Sequence, residues 1–224
     1  MRKKFLVLAM GFVFSGSSGI LHAEGNFSAG KEKSASCDGC HGLTGNSVTP
    51  TFPKLAQQHA SYLVKELQAF KDGTRQDPIM GPMAMALSEE DMMDIAAYYA
   101  AQKISQNAMP EPPEDDEGET VAAGGGKKPT IPELIAQGSD LYRNGDLARE
   151  VSACIACHGP FGEGNKPAAF PMLKSQHADY LIKSLNDFKS GARSDNPEHM
   201  MHMIAKKMTE EEIRAVSYHI SMMK

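Results

Sequence analysis

Cys37-Asp38-Gly39-Cys40-His41 and Cys154-Ile155-Ala156-Cys157-His158 use all four cysteines of the chain. On a helical turn, thiols three residues apart lie on one side. Both can therefore reach the vinyl groups along one haem edge, and the adjacent histidine can swing its imidazole under the iron. Cys-x-x-Cys-His is the attachment signature of c-type haem, and two copies imply two covalently bound haem c groups. The cofactor-binding residues are then Cys37, Cys40, Cys154 and Cys157, with His41 and His158 on the metal. Other readings fit less well. Zinc fingers do not require a histidine directly after each Cys-x-x-Cys. A thioredoxin-like pair follows a strand, and neither run follows an apolar strand pattern. A disulfide within Cys-x-x-Cys would close a very short loop.

Haem iron needs a further axial partner, and a neutral thioether favours the ferrous state. The chain has 15 methionines, most of them at helical positions where methionine fills cores. The partner must face the histidine across the haem, from the loop before each copy's last helix. In the first copy that loop holds Met80, Met83 and Met85; in the second it holds Met200, Met201 and Met203 with His199 and His202. Counting back eight residues from the N-cap residues Ser88 and Thr209 selects Met80 and Met201. At the same offset Met83 meets Ile204 and Met85 meets Lys206. Met80 and Met201 are the expected metal ligands. Met200 and Met203 are alternatives for the second, and His199 or His202 would make a bis-His site.

These residues are carried by an internal repeat. At an offset of 118, Phe52-Pro53-Lys54-Leu55 matches Phe170-Pro171-Met172-Leu173, and Gln58-His59-Ala60 matches Gln176-His177-Ala178. The match continues through Tyr62-Leu63 and Tyr180-Leu181 to Arg75 and Arg193. Apolar Tyr62, Leu63, Leu67 and Phe70, with their twins Tyr180, Leu181, Leu185 and Phe188, recur at helical spacing. Each helix should end at a glycine, Gly73 or Gly191. Ser88 and Thr209, with acids behind them, open terminal helices reaching about Gln102 and Met222. Helices should also lead into each haem run, over Asn26 to Ser36 and, less regularly, Ser139 to Ala153. No stretch alternates as a strand would. The expected fold is all-α, with domains at 24–105 and 132–224 joined by an acidic Pro/Gly-rich linker at 106–131. His59 and His177 begin amphipathic helices and read as hydrogen-bonding or capping residues.

Residues 1–23 read as a cleaved signal peptide: basic Arg2, Lys3 and Lys4, then an apolar run from Phe5 to Phe14, with Ala23 before the cut. That run is too short to span a bilayer. Export suits haem attachment, which takes place outside the cytoplasm, and implies a periplasmic location. Without Arg2, Lys3 and Lys4, 20 basic residues face 28 acidic ones, a formal charge of −8. That balance argues against nucleic acid and for redox proteins with basic docking surfaces. The linker carries six of the acids.

The chain resembles the cytochrome c4 family of dihaem class I c-type cytochromes. The resemblance rests on the two Cys-x-x-Cys-His runs, Gly45-Asn46-Ser47 and Gly164-Asn165, and Phe-Pro-x-Leu followed by Gln-His-Ala-x-Tyr-Leu. It also rests on Phe70-Lys71-x-Gly73-x-Arg75, Phe188-Lys189-x-Gly191-x-Arg193 and the Met-to-Leu-Ser segments. It implies two tandem class I cytochrome c domains with His/Met iron. It further implies a periplasmic one-electron carrier rather than an enzyme. Electrons would come from a cytochrome bc complex or a dehydrogenase and pass towards a terminal oxidase; some members associate peripherally with the membrane. Pro53 and Pro171 are similar to the proline whose carbonyl holds the proximal imidazole N–H in many c-type cytochromes; a plain turn proline is the other reading. Two further functions stay open: a subunit of a dehydrogenase or oxidase complex, and a dihaem peroxidase. Near-identical halves argue against the peroxidase, which needs two dissimilar haems.

Overall fold

Caps mark several of the helix ends. Ser88 and Asp91, Thr209 and Glu212, and Thr130 and Glu133 each form a reciprocal capping box. Gly73 and Gly191 close their helices in the left-handed conformation, φ 75° and 81°. The computed structural model describes residues 25–111, 129–194 and 199–224. The signal peptide read over residues 1–23 lies outside the described residues, as does most of the linker.

The first domain runs α1 (Phe27–Lys33), a 3-10 turn (Ser34–Ser36), α2 (Asp38–His41), α3 (Ala60–Asp72), α4 (Met80–Met85) and α5 (Glu89–Ala100). The second repeats the order as α6 (Ile131–Asn144), α7 (Ile155–His158), α8 (Ala178–Ser190), α9 (Met200–Ala205) and α10 (Glu210–Met222). Among the described residues there is no strand, only three isolated bridges. The lead-in to the second haem run differs from the sequence reading. Its helix starts at Ile131 and stops at Asn144, and a loop pinned by the Asp146–Val151 bridge covers the rest.

First and last helices cross at glycine in each domain. A Cβ on Gly30 would lie 1.9 Å from the Asp94 carbonyl oxygen, and one on Gly138 1.9 Å from that of Ala215. Leu63, Ile95, Ala96, Tyr98 and Tyr99 form the first core; Leu141, Tyr142, Val151, Leu181, Met208, Ile213, Val216 and Ile220 form the second. One aromatic ring changes helix between copies. Ser34 and Tyr99 are buried in the first domain where Tyr142 and Ile220 are buried in the second. Accordingly the Tyr98 hydroxyl donates to Leu43 O (2.8 Å), whereas in the second domain it is Tyr142 that donates to Gly159 O (2.7 Å). His219, at the position of Tyr98, lies tilted beside Tyr142 instead, with ring centroids 5.7 Å apart.

The two domains meet through reciprocal contacts. Gln176 holds both the N–H and the C=O of Lys54 while Gln58 holds both those of Met172. Arg75 donates to the Tyr180 hydroxyl and Arg193 to that of Tyr62. His59 bonds Glu163 O and His177 bonds Ser47 O. Such exchange is what an approximate twofold axis produces. The start of the inter-domain segment is strapped down as well. Asn107 donates to the carbonyls of Ser175, Gln176 and Ser221, and its side-chain oxygen accepts from Lys54.

Candidate haem sites

Each Cys-x-x-Cys-His run forms a single turn of helix. The N–H groups of Cys40 and His41 donate to Cys37 O (3.3 and 3.0 Å), and those of Cys157 and His158 to Cys154 O (3.2 and 2.9 Å). Both thiols of a pair therefore leave the same side of a rigid turn. None of the four is bonded to another. Burial pushes the Cys154 thiol up to about 11 and raises that of Cys37. A redox-active Cys-x-x-Cys needs the opposite, a depressed thiol pKa. Among the described residues no three His, Cys, Asp or Glu side chains gather as a metal-ion site.

The histidines carry the fit to haem. His41 Nδ1 lies 2.9 Å from Pro53 O, and His158 Nδ1 lies 3.0 Å from Pro171 O. A carbonyl can only accept, so each Nδ1 carries the proton and each Nε2 keeps its lone pair for a metal. Burial lowers both pKa values, which favours that neutral form. Phe52 and Phe170 sit beside the two rings at centroid distances of 6.4 Å. Pro53 and Pro171 thus each supply the carbonyl that holds the histidine of an attachment run.

Of the methionines considered above, Met80 opens α4, and Met200 and Met201 open α9. The Asp77 carboxylate accepts from the N–H groups of Ile79 and Met80, fixing the start of α4. Met80 and Met201 are half-buried, whereas Met83, Met85, Met200 and Met203 are exposed. His202 Nδ1 donates to Phe188 O (2.7 Å), and exposed His199 precedes α9.

Glu66, Arg75, Arg193, Gln58 and Gln176 were not identified as functional from sequence, nor were the cross-domain partners of His59 and His177. Their signal was present: polar Gln, His and Arg recur at matching positions in both copies.

The cytochrome c family matches residues 27–103 and 135–224. The chain is 40% identical over 215 residues to cytochrome c4 of Azotobacter vinelandii, covering 92% of each. It is 37% identical over 182 residues to a thiosulfate dehydrogenase electron acceptor of Stutzerimonas stutzeri, covering 81% of this chain and 76% of that one. The crystal structure of reduced recombinant cytochrome c4 from Pseudomonas stutzeri superposes with a TM-score of 0.76 at 38% identity, over 89% of this chain and all of that one. With two matched domains, two attachment turns and this coverage, the chain belongs to the cytochrome c4 family: it is an all-α electron-transfer protein, not an enzyme, with two covalently bound haem c groups.

Proposed function

We propose that this protein is an exported one-electron shuttle that passes electrons towards a terminal oxidase. In this reading Cys37, Cys40, Cys154 and Cys157 hold the haems, and His41 with Met80 and His158 with Met201 are the axial ligands. The observation that carries it is the pair of His-to-Pro carbonyl hydrogen bonds, which present one Nε2 lone pair per attachment turn. When bound, haem supplies an iron that gains or loses one electron. The protein's part is to hold each imidazole in one tautomer and orientation, to bury it, and to keep the same ligands in both oxidation states. Two sites built alike favour carriage over peroxidase chemistry, which needs one open iron. Among the described residues no helix is long and apolar enough to cross a membrane.

The donor is either a cytochrome bc complex or a dehydrogenase. The likeness to a thiosulfate dehydrogenase electron acceptor favours a dehydrogenase, with transfer through a small, transient interface. Residues 24–105 and 132–224 are the two working domains, and 106–131 is their tether.

The test is spectroscopy on protein from the periplasmic fraction. Both oxidation states should show two low-spin, six-coordinate haems that bind neither carbon monoxide nor cyanide, on a chain starting at Glu24. The reduced protein should then raise oxygen consumption by oxidase-containing membranes. Carbon monoxide binding at one reduced haem would support the peroxidase instead. Co-purification with a dehydrogenase as a stable complex would make it a subunit.

A further inference from the structure

The peptide group that supplies the Pro53 carbonyl to His41 also carries the N–H of Lys54, and the one that supplies Pro171 O to His158 carries the N–H of Met172. Both N–H groups donate across the domain boundary. Lys54 N–H reaches Gln176 Oε1, and Met172 N–H reaches Gln58 Oε1, each at 2.8 Å. The surroundings fix which way these amides point. Gln176 Oε1 also accepts from His177 N–H (3.0 Å), and its Nε2 donates to Lys54 O (2.9 Å). Gln58 repeats the pattern with His59 N–H (2.9 Å) and Met172 O (2.9 Å). A flip would set N–H against N–H at two of these contacts and oxygen against oxygen at the third. Gln58, Gln176, Lys54, Met172, His41 and His158 are all buried.

A peptide that donates through its N–H is polarised, and its carbonyl becomes a better acceptor. A better acceptor at Nδ1–H gives the imidazole more imidazolate character, and a more basic ligand favours ferric iron. We propose that Gln176 lowers the reduction potential of the first domain's haem and Gln58 that of the second. Each is a positioning residue acting from the opposite domain. The proposal rests on His41 and His158 being the iron ligands. It makes domain docking and ligand basicity one coupled property, so a protein that opens at the boundary becomes more oxidising at both irons.

Redox titration of the full-length holoprotein tests this, with the haems assigned by the paramagnetically shifted NMR signals of each domain. Gln176→Leu should change the oxidised-to-reduced ratio of the first haem about threefold at fixed ambient potential. That is an upward shift of about 28 mV at 59 mV per decade. The second haem should not move. Gln58→Leu should do the reverse. Gln176→Glu keeps an oxygen facing Lys54 N–H and should hold the first potential at or below its starting value. A crossed, site-specific pattern supports the relay. Unchanged potentials, or both haems moving together in each variant, would overturn it. Should the ligand assignment be what fails, the unsubstituted protein will already lack the spectrum of histidine-ligated low-spin iron.

Discussion

Arg75 and Arg193 pair backbone to backbone as an antiparallel bridge at the domain boundary, and the carboxylate of Glu66 accepts from both guanidiniums. Each guanidinium also lies 4.4 Å over a ring of its own domain, Phe70 or Phe188. The position corresponding to Glu66 in the second copy is Ser184, so one carboxylate serves the two arginines from one side. Glu66 and Arg193 side chains are each 7% exposed. Removing one partner from so buried a pair costs about 3–5 kcal/mol, because charge is left behind without that counter-ion. Glu66→Ala should therefore lower unfolding stability by about 3 kcal/mol and loosen the boundary. Denaturant titration measures the first effect and small-angle scattering the second. A loss below about 1 kcal/mol would mean that the cluster is no more than a surface ion pair.

Lys54 gives the boundary a pH dependence. It is 3% exposed, and burial pushes its pKa from 10.5 down to about 8. Its Nζ donates to Ser105 O (2.7 Å) and Asn107 Oδ1 (2.6 Å). Between pH about 8 and about 10.5 the folded protein binds fewer protons than the unfolded chain, so stability rises with pH across that window. The gain is at most about 3 kcal/mol. Lys54→Met, which copies its twin Met172, should flatten the rise. Unfolding free energies at the two ends of the window decide it, and an equal slope in both proteins refutes the assignment.

Met80 and Met201 can be separated from their neighbours one at a time. Met80→Ala should open the first iron and Met201→Ala the second, each giving one haem that turns high-spin and binds carbon monoxide. Met83→Ala, Met200→Ala and Met203→Ala remove exposed side chains and should leave both spectra unchanged. A spectral loss in Met200→Ala or Met203→Ala, with Met201→Ala silent, would move the second ligand.

What could be read in the sequence was local. The haem turns need only three-residue spacing, and the ends of the terminal helices need only Ser88 and Thr209 with a carboxylate three residues on. Glycines at 73 and 191 end their helices because a left-handed residue is required there. Cross-domain partners were not legible. Gln58 and Gln176 look like ordinary polar residues at helix starts until the second copy is placed against them. The left-handed backbone of Gln57 and Ser175, φ 64° and 57°, has no glycine to announce it, yet it turns those glutamines towards the boundary. The start of α6 was missed because a capping box at Thr130 follows directly on a segment with linker composition.

The migration of one aromatic ring between helices predicts an epistatic pair. Tyr99 on α5 packs beside Ser34 in the first domain, while Tyr142 and Ile220 share the corresponding space in the second. Tyr99→Ile alone empties part of a fully buried site and should cost about 3 kcal/mol. Ser34→Tyr alone forces a ring against Tyr99 and should cost about as much through overpacking. Together they rebuild the arrangement of the second domain, with the new hydroxyl within reach of the backbone after His41, as Tyr142 reaches Gly159 O. The double variant should be more stable than the sum of the single losses by at least about 2 kcal/mol, measured as the coupling term of a double-mutant cycle. Additive losses would show that the two cores differ in more than the helix that supplies the ring.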